Sequence, residues 1–293
     1  MRMTPPAIAA LLALISSGIP SVFAMEQPAP AVAAAASPYS YADLADLAVA
    51  APMAIHARIR KAAALKPEQA PGLAAGHVRF FIEADVVSLI RGSGPLAARI
   101  SYLVDLPLAA NGKAPKLKSK QPVLIFARPV ASGTTTDTGS VRLVAPDAQL
   151  AWDPATEARL RAILTELVKP GAPPAITGIA NGFHVPGTLP GEGETQLFLN
   201  TATGDPVSLT VITAADGSRR WAAAFGEIVD GSAAVPRRDT LAWYRLACGL
   251  PKALPLDKLA GTAPEDRKKA AADYAMILGA LGECTRTRAP VGG

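Results

Sequence analysis

Hydrophobic positions change period along the chain, and each change marks an element. Ile55, Ala57 and Ile59 alternate with His56, Arg58 and Arg60, the two-residue period of a half-buried strand with the histidine and arginines on its polar face. The same period runs from Val78 to about Ile90, with Val78, Phe80, Ile82, Ala84 and Val86 on one face. Gly92-Ser93-Gly94-Pro95 turns the chain, and strands are expected at Ala98–Val104, Val123–Ala127 and Val141–Val144, with a loop at Ala109–Gln121. Helices flank this β-rich stretch. Ser40 can cap a short one from Tyr41 to Leu47. Asp153 and Pro154 open a longer one that Lys169-Pro170-Gly171 closes. In it Leu160, Ile163, Leu164 and Leu167 fall at i, i+3, i+4 and i+7, a single stripe that must pack against the sheet.

The pattern repeats in kind after Pro174. Ile176–Val185, Thr195–Asn200, Val207–Ile212 and Trp221–Val229 read as strands, the last two joined as a hairpin at Asp216-Gly217. Asp239 is expected to cap a helix running to Cys248. Thr262 with Glu265 forms a capping box for a final helix whose stripe is Tyr274, Ile277, Leu278 and Leu281, with Gly282 as its C-terminal cap.

Composition adds a location. The 293 residues are 50% hydrophobic, carry 29 Lys+Arg against 24 Asp+Glu, and include 24 Gly and 27 Pro without a period. That excludes collagen-like and disordered classes. Arg2, the apolar run Ala7–Ile15 and the small residues up to Ala24 match a cleaved secretory signal. The run is too short to cross a bilayer, so residues 1–24 are expected to be removed and no membrane span to remain. Residues 25–39 read as an uncharged Ala/Pro tether. A periplasmic or secreted protein follows. Cys248 and Cys284, an even number in an oxidising compartment, are expected to form a disulfide across the two C-terminal helices.

The stretch VVSLIRGSGPLAARISYLV, then QPVLIFARPV, VRLV and the helix opened by Asp153, resembles the netrin-like or metalloproteinase-inhibitor-like module. Arg91-Gly92 and Val123-Leu124-Ile125-Phe126 stand where that family has a lysine-glycine step and a tyrosine-leucine-leucine-phenylalanine strand. The resemblance covers about residues 42–168 and implies an oligonucleotide/oligosaccharide-binding (OB-like) barrel. The inhibitors need an N-terminal cysteine and several disulfides. This region contains no cysteine, so protease inhibition is not implied. The expected class is α+β. Residues 40–170 form a five-stranded OB-like antiparallel barrel with a closing helix, and residues 171–288 form a second antiparallel β region with two C-terminal helices.

Catalytic signatures are missing. The chain has no Gly-x-Ser-x-Gly elbow, no His-Glu-x-x-His and no glycine-rich phosphate loop, and no cofactor is expected. Two features remain. His184, Glu192 and Glu194 lie in a glycine-rich stretch and could meet in a binding loop, since imidazole and carboxylates are metal-type ligands, although the spacing fits no established motif. Lys113, Lys116, Lys118 and Lys120 make a basic loop between two strands, at a density that attracts polyanions. Stacking aromatics are scarce, so nucleic acid is not an expected partner. The leading expectation is a non-catalytic binding protein of the cell envelope whose partner is an envelope protein or an anionic polymer. The alternative is an exported hydrolase with its site at His184, Glu192 and Glu194.

Overall fold

The computed structural model describes residues 37–130, 139–226, 233–259 and 263–291. The expected signal, most of the tether, and Thr262 of the expected capping box lie outside them.

Among the described residues, four α-helices and two antiparallel sheets make a mixed α+β architecture. Sheet A is built from β1 (Met53–Ala64), β2 (His77–Arg91), β3 (Arg99–Pro107), β4 (Pro122–Pro129), β5 (Val141–Leu143) and β6 (Gln149–Ala151). Its order is β3-β2-β1-β4-β5, with β6 also paired to β4. The expectation of a five-stranded barrel is therefore corrected on two counts. A sixth strand, β6, is present in the segment before α2, where only Leu150 is buried and no alternation marks it. The sheet is also not a closed barrel. Between the outer strands, the described residues contain one parallel bridge, Ser101 to Ser140.

Helices α1 (Tyr41–Ala50) and α2 (Pro154–Leu167) pack on each other beside sheet A. α1 starts as expected: Asp43 N–H donates to Ser40 Oγ, and Asp43 Oδ2 accepts from Ser40 N–H. Its first eight residues are all buried, Asp43 and Asp46 included. α2 is capped by Asp153, which accepts from Thr156 N–H, and it buries Leu160, Ile163 and Leu164.

Sheet B has the order β10-β9-β8-β7, from β7 (Ile176–Pro186), β8 (Gly193–Thr201), β9 (Val207–Thr213) and β10 (Arg219–Phe225). The β9–β10 hairpin turns at Asp216-Gly217, where Gly217 takes φ 80°, a conformation that glycine adopts at no steric cost. α3 (Leu241–Gly249) and α4 (Pro264–Leu281) pack against β7, and α4 also reaches β8. Thr240, not Asp239, caps α3 by accepting from Trp243 N–H, a shift of one residue. α4 begins at Ala263 without a side-chain cap and ends at Gly282, φ 70°.

One apolar core joins both sheets and all four helices, from Leu44 and Ile55 through Phe126 and Leu160 to Leu209, Leu246 and Ile277. Two clasps lie over it. Cys248 and Cys284 form the expected disulfide, with Cα atoms 5.2 Å apart. The chain after it returns to α1, where Asp46 accepts from Arg286 and from Tyr244 Oη, and Asp43 accepts from the N–H groups of Thr287 and Arg288. Among the described residues no helix is long and apolar enough to cross a membrane.

Candidate functional site

His184 lies in β7 rather than in a loop. It is 4% exposed because the sheet face that carries it is roofed by α4. Strand register puts His184 opposite Thr195 on β8, and Gly193 opposite Thr213. Thr213 in turn faces Arg219 on β10. Successive residues of a strand point to opposite faces, so His184, Thr195, Gly193, Thr213 and Arg219 share one face. From above, α4 adds Asp273, which lies on the same helix face as Ala270, Tyr274 and Ile277.

The polar groups are linked in a chain. His184 Nδ1 is 2.8 Å from Thr195 Oγ1, which donates to Asp273 Oδ2 at 2.5 Å. Arg219 donates to Asp273 Oδ1 at 3.1 Å. Thr195 is fully buried and Asp273 is 3% exposed. Buried polar groups are costly unless hydrogen-bonded, and the network satisfies every such atom except one. His184 Nε2 is buried with no protein partner. Burial holds the His184 pKa below the usual imidazole value, and Lys269 lowers it further, against the opposing pull of Asp273 and Asp266. The ring is therefore neutral at pH 7.

A cavity of about 350 Å³ opens beside this network, lined by His184, Glu192, Gly193, Arg219, Lys269 and Asp273 among others. Gly193 is essential to its shape, because a Cβ there would sit 2.7 Å from both Cε1 and Nε2 of His184. Of the expected trio, His184 and Glu192 line this cavity. The Glu192 carboxylate also accepts from Leu189 N–H. Glu194 pairs with Val185 on the opposite face and accepts from Gln196. Thr195 and Asp273, which meet His184, and Arg219, which binds Asp273, went unread in the sequence. One signal for them existed: Asp273 is a carboxylate within the apolar stripe of α4.

The second site is a groove of about 1010 Å³ on sheet A. The backbone explains how it forms. The loop before β4 ends by docking on β1, with Lys120 N–H donating to Ile59 O at 2.6 Å and Ile59 N–H donating to Gln121 O at 2.9 Å. Lys120 holds φ 66° to do so, a left-handed conformation that costs a non-glycine residue roughly 1 kcal/mol or more. Lys120 is thereby brought beside Arg58, Arg60 and Lys61, all exposed and all lining the groove. Among the described residues none of these four forms an ion pair; the carboxylates Glu83 and Asp85 line the other wall, opposite Lys61 and Arg58 in the strand register, and Asp85 is bound to Arg99. Lys113, Lys116 and Lys118 remain exposed in the loop outside the groove, whose Leu117 packs on the core.

His56, expected on a polar face, is 8% exposed. Trp152 stacks on it at 4.5 Å, and Glu157 at the start of α2 lies 3.4 Å from Nδ1. Trp152 and Glu157 thus cover His56 on the outer face of β1, whose first five residues are all buried. Among the described residues no three His, Cys, Asp or Glu side chains are grouped to hold a metal ion.

The chain matches no known family model, and no curated protein is similar to it in sequence.

Proposed function

We propose that this protein is an exported, non-catalytic binding protein of the cell envelope that holds an anionic polymer along the groove of sheet A. The convergence of Arg58, Arg60, Lys61 and Lys120 on one groove, against the two carboxylates Glu83 and Asp85 in its wall, carries the reading. Four cations against two carboxylates leave the concave surface net positive, which raises the local concentration of a polyanion and gains from counterion release when it binds. The connectivity of sheet A supports an OB-like reading, since β1 is shared between β2 and β4 and the outer strands approach in parallel at Ser101 and Ser140. Folds of that type commonly bind extended polymers through sheet and loops. The disulfide supports export to an oxidising compartment. A hydrolase at His184, Glu192 and Glu194 has less support, because Glu194 faces away from the cavity.

Fluorescence anisotropy with a labelled polyuronate, read across a salt series, tests the reading. The variant carrying Arg58→Gln, Arg60→Gln, Lys61→Gln and Lys120→Gln is expected to bind at least tenfold more weakly, and to reduce the slope of log affinity against log salt by about 3. An unchanged affinity and slope would exclude the groove as the binding surface.

A further inference from the structure

An antiparallel sheet with one face on the core usually shows a polar face to water, and sheet B departs from that plan. Its inner face, which carries His184 and Thr195, is roofed by α4. Strand register and the alternation of side chains assign the opposite face. One row across it is Val185 on β7, Glu194 on β8, Ile212 on β9 and Arg220 on β10. Further along the same face lie Phe183 and Phe198, with ring centroids 6.2 Å apart, and Ala224. Val185, Ile212 and Phe183 are all exposed, so this apolar surface is open. Its charges are placed symmetrically. Glu194 and Arg220 stand one strand to either side of Ile212, about 10 Å apart at the usual strand spacing. Among the described residues neither forms an ion pair.

We propose that this face is the interface of a two-fold dimer of the chain. An axis running along β9 lays Glu194 of each copy against Arg220 of the other and brings Ile212 onto its own counterpart. The same operation sets Phe198 on β8 over Ala224 on β10, a large side chain against a small one. It also sets Phe183 on β7 over the exposed Val235, which follows Ala234, the residue paired with Ala223 beyond β10. The alternative axis, across the strands, would stack glutamate on glutamate and arginine on arginine, and like charges so placed repel. The charges therefore choose the operator that keeps the strands of the two sheets aligned, a standard way for sheets to stack. The footprint, about 20 Å by 15 Å from strand spacing and rise, is at the small end for specific association, so the dimer is weak and reversible. It stands apart from the groove of sheet A and does not depend on the polymer reading.

Sedimentation velocity of the purified protein from about 1 to 300 µM is expected to show a monomer–dimer equilibrium with a Kd on the order of 10–100 µM. Ile212→Glu, a change at an exposed position, puts two carboxylates together on the axis and is expected to weaken the dimer about tenfold or more while the melting temperature holds. Glu194→Arg and Arg220→Glu are each expected to weaken it by about tenfold, since each brings like charges together. Mixed in equal amounts, these two single variants should associate as the parent protein does, because in the mixed dimer every arginine meets a carboxylate. The fourfold groove variant should dimerise like the parent. A monomer at every concentration, a dimer indifferent to Ile212→Glu, or a mixture that associates no better than its two components would each overturn the proposal. Binding of a different protein by a chain that stays monomeric would overturn it too, and would assign the face to that partner.

Discussion

Arg286 donates through Nε to Asp46 Oδ2 at 2.7 Å and through a second nitrogen to Oδ1 at 3.2 Å, across 240 residues of chain. The Asp46 side chain is 6% exposed and that of Arg286 is 25% exposed, so the forked pair is a largely desolvated bond that ties the C-terminal segment to α1. Removing one member strands the other in the interior, which commonly costs 3–5 kcal/mol in a fully buried pair. For Arg286→Met, with Tyr244 still donating to Asp46, we expect a loss of about 2–3 kcal/mol in urea unfolding. A loss under about 0.5 kcal/mol would place the clasp among ordinary surface pairs.

The disulfide two residues earlier closes a loop of 36 residues. Chain entropy assigns such a loop roughly 4 kcal/mol. Cys284→Ser is therefore expected to lower the melting temperature by about 10 °C, at the few degrees per kcal/mol usual for chains of this size. Thiol titration of the denatured, unreduced protein should find none, and two free thiols would remove the basis for the expected shift.

Gly182 makes a steric prediction that owes nothing to backbone freedom. A Cβ at that position would lie 2.5 Å from Leu197 Cδ2 and 2.9 Å from the Gln196 carbonyl oxygen. The carbonyl belongs to the paired strand and cannot swing aside, so Gly182→Ala is expected to destabilise by about 1–3 kcal/mol through overpacking. Gly279→Ala, where the new Cβ meets nothing within 4 Å, serves as the control and should be neutral or slightly stabilising, because alanine favours helices.

Acid should destabilise this fold from near neutrality downward. Burial lowers the pKa of both His184 and His56, the neighbouring carboxylates pulling the other way. The unfolded chain takes up its histidine protons near pH 6.5 while the folded chain still resists them, so the unfolded state binds more protons and stability rises with pH across that interval. The contribution is complete above about pH 6.5 and declines as pH falls through the folded values. Lower still, Asp43 and Glu157 act in the same direction. Burial opposes their ionisation, but hydrogen bonds from Thr287 and Ser40 to Asp43, and from Trp152 and Arg161 to Glu157, outweigh it and hold both below their usual range. Urea midpoints measured at about pH 7.5 and 5.5 should fall with pH. A flat or rising midpoint would mean that the histidines titrate as they do in the unfolded chain.

Periodicity and end signals were enough to place most elements of this protein, the three-residue β6 excepted. Alternation at Ile55–Arg60 and Val78–Ile90 marks β1 and β2, Asp153-Pro154 opens α2, Asp216-Gly217 turns the β9–β10 hairpin, and the chain's two cysteines make the disulfide. These are local properties, set by which backbone conformations and hydrogen bonds each short segment can satisfy by itself. What covers a face is not local. His56 sits where a polar face is expected and is buried by Trp152 and Glu157, while His184, expected in a binding loop, is buried beneath α4. The same holds for the meeting of His184 with Thr195 and Asp273, which are 11 and 78 residues away, and for the cation groove that exists because Lys120 docks on β1. A strand's period states which residues share a side. Only tertiary packing decides whether that side meets water, a helix or the wall of a cavity, since burial depends on contacts whose sequence separation no local pattern records.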